Sequence, residues 1–163
     1  MGKVFRRVAI AAGVSFVALV ALYAVAWQHS ESALAQTFVV RDPPLAFAGD
    51  AAEAARGAHL YGVLGCVECH GEGGRGKVFI DAGPVAVVVA PNLTPAAVRE
   101  RYDADALGVA IRHGLDPRGR PLRIMPSTDF MNLSDEDTAA LVAYLQALPA
   151  SDNRPGSTEI RVG

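Results

Sequence analysis

Cysteine is scarce in this 163-residue chain: there are two, and no second cysteine pair or paired histidines exist to complete a four-ligand structural zinc site. No segment repeats, which rules out a solenoid or a tandem array and leaves room for one module. Excess positive charge is missing too, since the formal net charge is −2, and nothing in that balance points to nucleic acid. The composition is neither fibrous nor disordered, and the length suits one compact domain plus an appendage.

Charge is absent altogether from Val8 to Trp27, where Gly13 and Ser15 are the mildest exceptions in an apolar run. Twenty helical residues reach about 30 Å, the depth of a bilayer's hydrocarbon core. Lys3, Arg6 and Arg7 precede the run, and Tyr23 and Trp27 lie near its far end. Basic residues favour the cytoplasmic side and amphipathic aromatics the headgroup level, so residues 1–35 read as a single-pass anchor, transmembrane over 8–27, with the rest exported. Ala33-Leu34-Ala35 before Gln36 also resembles a signal-peptidase site. Cleavage after Ala35 is therefore the alternative, and it delivers a soluble domain to the same compartment. Past residue 35 the chain holds 12 Lys and Arg against 16 Asp and Glu, a formal charge of −4.

Two cysteines in an exported protein ordinarily suggest a disulfide. Here they form Cys66-Val67-Glu68-Cys69-His70, the C-x-x-C-H attachment pattern of c-type haem. Thiols one helical turn apart can both reach the haem vinyl groups, while the adjacent imidazole is placed to bind iron. A thioredoxin-like C-x-x-C belongs in a βαβ unit, whereas this one follows a helix-like segment. A plain disulfide leaves His70 unexplained.

The second axial position decides between electron transfer and ligand chemistry. Met125 is the leading candidate, because Gly114 to Ser134 contains Pro117, Gly119, Pro121 and Pro126 and cannot be one continuous helix. Met131, His113, His59 and an open site are the alternatives; core filling is the ordinary use of a methionine, and His113 beside Gly114 suits a helix C-terminus. Arg112, Arg118, Arg120 and Arg123 crowd the approach to this loop with Asp116 as the one acid among them. They read either as a solvated loop or as a propionate partner, Arg112 first, plus a rim for an acidic protein.

Residues 36–49, with Pro43-Pro44, read as an extended linker, and 50–150 as the folded domain, followed by a tail over 151–163. Asp50 and Glu53 predict a helix over 51–63. The stretch from Pro84 to Ala90 is rich in valine and reads as irregular or extended; Pro84 or Pro91 offers a carbonyl for the second nitrogen of His70. Thr94-Pro95 opens a short helix to about Arg101, Asp103 caps another over 104–113, and Ser134 with three following acids starts the last one, ended by Pro149. The first and last of these helices are expected to cross, with Gly57 or Ala58 permitting close approach and Tyr61 and Tyr144 as partners.

The arrangement resembles the class I monohaem cytochromes c, in particular the modules of cytochrome subunits in membrane-bound periplasmic dehydrogenases. The matching segments run from Arg56-Gly57 to Cys69-His70, then Pro91-Asn92-Leu93-Thr94-Pro95, Ala110-Ile111-Arg112-His113-Gly114, Met125-Pro126 and Leu133-Ser134-Asp135-Glu136-Asp137 onward. The resemblance implies an all-α fold, about four or five helices around one covalent haem c beyond an N-terminal transmembrane helix. It implies His70 and Met125 as axial ligands, with Asn92 and Arg112 near the propionates. Three features depart from it: one module where those subunits commonly have three, Arg101-Tyr102 where a tryptophan is frequent, and the segment from Gly71 to Ala90. The implied function is single-electron transfer without catalysis, at a bacterial inner membrane on the periplasmic side, between redox donor and acceptor proteins. The alternatives are a dedicated subunit of a dehydrogenase or terminal oxidase complex and, from another class, a haem sensor or peroxidase-like protein.

Overall fold

A computed structural model describes residues 2–161. The chain divides into two compact units, one through Phe38 and one from Val39 onward.

The first unit is a single helix, α1 (Lys3–Ala35). Its 33 residues extend about 50 Å, and its most apolar window has a mean hydropathy of 2.5. The helix is thus longer than the expected 8–27 span, because good helix formers continue through the charged ends. Tyr23 and Trp27 sit one turn apart with ring centroids 6.1 Å from each other.

The second unit starts with helix α2 (Ala51–Val63). Asp50 caps it by accepting the Glu53 N–H at 2.8 Å, and the Glu53 carboxylate reaches back to the N–H groups of Ala48 and Gly49. Helix α3 (Cys66–His70) follows, then α4 (Pro95–Val98), α5 (Ala104–His113) and α6 (Asp135–Ala147). Asp103 caps α5 through Ala106 N–H, Ser134 caps α6 through Asp137 N–H, and Gly114 in the left-handed region ends α5. The first and last helices of this unit cross at Gly57. A Cβ there would fall inside the carbonyl of Ala140 and 2.7 Å from the Tyr144 Cβ, so only glycine permits the approach, while Ala58 is exposed. Tyr61 and Tyr144 meet beside the crossing with ring centroids 5.3 Å apart and planes tilted by 52°, and Tyr61, Leu141, Leu145 and Leu148 form a buried core cluster.

The fold is predominantly helical, as expected, with a small sheet added to the helices. Strands β1 (Lys77–Asp81), β2 (Ala86–Ala90) and β3 (Glu159–Ile160) form an antiparallel sheet in that order. The valine-rich run is the central strand, and its second neighbour comes from the C-terminal tail. Arg161 N–H donates to Val85 O, and the Asn153 side chain donates to Arg75 O and Gly76 O, so the C-terminal segment is part of the fold.

The linker is extended as its prolines require, yet the part from Val39 belongs to the folded unit. Asp42 takes hydrogen bonds from Arg112 Nη2 at 2.6 Å and shares one with His113 Nε2 at 2.8 Å, while Leu45 N–H donates to Asp105. Burial alone would raise the Asp42 carboxyl, but the hydrogen bonds and charges of His113 and Arg112 outweigh it and hold it below the ordinary carboxylate value. A depressed folded-state pKa means that this stabilisation is present above the unfolded value near 3.8 and is lost as pH falls through the lower folded value. Asp42→Asn is expected to cost about 1–2 kcal/mol at neutral pH, discounted for partial exposure, and to flatten the acid limb of the stability profile. Thermal melts of both proteins across pH 2–7 check this; parallel acid limbs would contradict it.

Candidate haem-attachment site

Gly65, with φ +76°, reverses the chain after α2 and starts α3. That short helix brings Cys66 and Cys69 one turn apart, both as unpaired, half-buried thiols, with His70 closing the turn. Burial pushes the Cys66 thiol up, and the neighbouring Cys69 adds to the effect.

The imidazole of His70 is held from behind. Its Nδ1 lies 3.0 Å from the Pro91 carbonyl, an acceptor only, so Nδ1 carries the proton and Nε2 keeps the free lone pair. Burial lowers the His70 pKa, partly opposed by that hydrogen bond, and favours the neutral form that metals bind. Of the two prolines considered, Pro91 provides the carbonyl. Gly76 makes this possible: at φ +75° its missing Cβ would lie 2.6 Å from Asn92 N and 2.7 Å from Pro91 C. Its N–H also donates to His70 O at 2.7 Å, tying the two segments together. Tyr61 O–H donates to Gly71 O at 2.8 Å and fixes the residue after His70 to the core.

Asn92 and Arg112 are engaged by the protein itself. Both amide hydrogens of Asn92 go to the carbonyls of Ser151 and Asn153, and its Oδ1 accepts Thr94 N–H, which braces the segment carrying Pro91. Arg112 is matched by two acids, Asp42 at 2.6 Å and Asp135 at 2.5 Å, and its buried Nε has no acceptor among the described residues. Met125 is half-buried, whereas Met131 is 56% exposed. The Met125 loop is ordered by short-range bonds: Leu115 bridges to Pro121, Leu122 N–H donates to Gly114 O, and Asp116 accepts the N–H groups of Arg118 and Arg120. Arg118, Arg120 and Arg123 are exposed.

Two thiols one turn apart, an imidazole locked in the metal-binding tautomer and apolar neighbours such as Val67 and Leu93 suit a covalently held haem. A family model described as Cytochrome c matches residues 54–149, from within α2 to just past α6. The chain belongs to the cytochrome c family. Membership brings a covalently bound haem c and makes electron transfer the business of this domain. Similar curated proteins include a diheme cytochrome c-type protein of Cereibacter sphaeroides, 30% identical over 124 residues, which are 69% of this chain and 42% of that protein. The fructose dehydrogenase cytochrome subunit of Gluconobacter japonicus is 31% identical over 98 residues, 55% of this chain and 20% of that protein. The gluconate 2-dehydrogenase cytochrome c subunit of Pantoea cypripedii is 35% identical over 96 residues, 55% and 22%. The chain therefore spans less than half the length of each.

Sequence reasoning missed Gly76, Asn153 and Asp42 as supports of this cytochrome domain. The run Gly71 to Gly76 was the available signal for the first, since a glycine beside a ligand often marks a close backbone approach.

Proposed function

We propose that this cytochrome is a membrane-anchored electron carrier with one haem c, joined to Cys66 and Cys69, ligated by His70 and Met125, and facing the periplasm of a bacterial inner membrane. The observation that carries the reading is the locked imidazole of His70 directly following two unpaired thiols on one helical turn. When bound, the haem supplies a one-electron ferrous/ferric couple. The chain's residues supply the rest. Pro91 orients His70; Gly76 and Asn92 hold Pro91; the ordered loop after Gly114 presents Met125; and Tyr61 fixes the residue after His70 to the core. Arg112, linked to Asp42 and Asp135, fastens α5 to the chain arriving from α1, while exposed Arg118, Arg120 and Arg123 offer a positive rim to an acidic partner.

In domain terms, residues 1–35 form the anchor and the haem domain occupies about 50–150, with the segment from Val39 and the one through Arg161 belonging to the same compact unit. Expression in a host that matures c-type cytochromes tests this reading. The pigment is expected to stay with alkaline-washed membranes and to be reduced and reoxidised by single-electron reagents without binding carbon monoxide rapidly. Release into the soluble periplasm with Gln36 as the first residue would replace the anchor by a cleaved signal, and rapid carbon monoxide binding would favour the sensor or peroxidase class.

A second reading is favoured by the two relatives named as dehydrogenase cytochrome subunits: this chain is a redox subunit of such a complex. Stoichiometric copurification of a catalytic subunit from native membranes would select it over a free shuttle.

A further inference from the structure

The C-terminal segment beyond α6 closes on the carbonyl that holds His70. Past Pro149, Ser151 sets a local turn by accepting Asn153 N–H on its Oγ at 3.2 Å, a bond that serine favours. Further on, the segment lies along β2, where Thr158 Oγ1 accepts Val89 N–H at 3.0 Å and β3 pairs with Ala86 and Val87. Strand β2 ends at Ala90, directly before Pro91. Asn153 bonds to the chain on both sides of the His70 contact. Its side-chain amide donates to Arg75 O at 2.8 Å and to Gly76 O at 3.0 Å, while its own carbonyl accepts one amide hydrogen of Asn92 at 3.1 Å. Ser151 O takes the other at 2.9 Å. Asn92 is 6% exposed, so its amide would be a buried donor without a partner if this segment withdrew.

We propose that Asn153 is a positioning residue for His70, acting through the peptide that joins Pro91 to Asn92. This role presupposes the reading of His70 as an iron ligand. Gly76 packs against that peptide with no room for a Cβ, and its N–H donates to His70 O. Asn153 fixes the Gly76 carbonyl with its side chain and Asn92 with its own carbonyl. Two links therefore hold the Pro91 oxygen at 3.0 Å from His70 Nδ1. A firm Nδ1–H bond to a carbonyl raises the basicity of the imidazole, and a more basic donor favours ferric iron. Releasing the peptide weakens that bond and raises the reduction potential. Asn153 itself is exposed, so replacing it opens no cavity in the core, and its effect on His70 is separable from an effect on packing.

The test uses full-length cytochrome matured with haem and kept in mild detergent, read by proton NMR of the reduced form and by redox titration. In wild type the His70 ring protons are expected far upfield, displaced by the porphyrin ring current that an axial imidazole feels. Asn153→Ala, and Asn153→Leu as a variant of similar volume, are expected to exchange His70 Nδ1–H for deuterium about tenfold faster than wild type, the scale of one lost hydrogen bond. Both should also titrate at a higher potential than wild type. Arg161→Gln removes the bond to Gly83 O at the far end of the same segment and is expected to leave both readings at wild-type values. If either reading stays at the wild-type value in the Asn153 variants, or Arg161→Gln moves both as far, the role of Asn153 is overturned while that of His70 stands. Wild-type ring protons without the upfield displacement would overturn the axial reading of His70 and this role with it.

Discussion

On the proposed His70/Met125 ligation, Met125→Ala is expected to give a protein whose reduced form binds carbon monoxide rapidly and whose potential lies markedly below that of wild type. The physical reason is the thioether: among axial donors it favours the ferrous state, and axial identity commands a range of about 0.8 V across haem proteins. Met125 lies in a loop whose backbone is fixed by Leu115 pairing with Pro121 and by Ser127 N–H donating to Met125 O at 2.9 Å, so shortening this side chain does not remove the loop. Met131→Ala serves as the internal comparison, since that side chain is mostly exposed and contributes little packing. Optical spectra and redox titration of both variants decide the matter. A shifted Met131→Ala protein beside an unchanged Met125→Ala protein would exchange the two assignments.

Gly57→Ala is expected to cost about 3 kcal/mol or more. Overpacking a core position by one methyl ordinarily costs about 1–3 kcal/mol, and here the added carbon meets a main-chain carbonyl, which cannot swing aside as a side chain can. Helices α2 and α6 must separate to admit it, and the contacts of Tyr61 with Tyr144 and Leu141 are on the same seam. For a domain of this size the midpoint should drop by roughly 10 °C or more. Ala58→Leu, one residue along on the exposed face, should move it by only a degree or two. Thermal melts followed at the haem band check both; a Gly57→Ala protein as stable as wild type would mean that the crossing is looser than described.

Helices α2, α5 and α6 were legible because their signals are local: a cap, an acid within three residues, an apolar stripe and a glycine or proline at the end. The attachment turn was legible for the same reason, five adjacent residues carrying the whole pattern. The sheet was not. Its central strand showed in the valines, but β3 is a two-residue strand about seventy positions away with no alternation of its own, and pairing at that distance leaves no local trace. Arg112 shows the same limit. Its two carboxylates lie 70 residues before it and 23 after it, and its neighbours in sequence suggest only a helix end. The choice between Pro84 and Pro91 turned on Gly76, whose positive φ brings one strand end against the other.

The most direct measurement is the intact mass of the full-length protein, purified under denaturing conditions from a host that matures c-type cytochromes, taken with its reduced pyridine spectrum. The account predicts a polypeptide heavier by one haem, with the absorption of a porphyrin that has lost both vinyl groups to sulfur. A polypeptide mass without that increment, whose colour is extracted by acidified organic solvent or was never present, would contradict it.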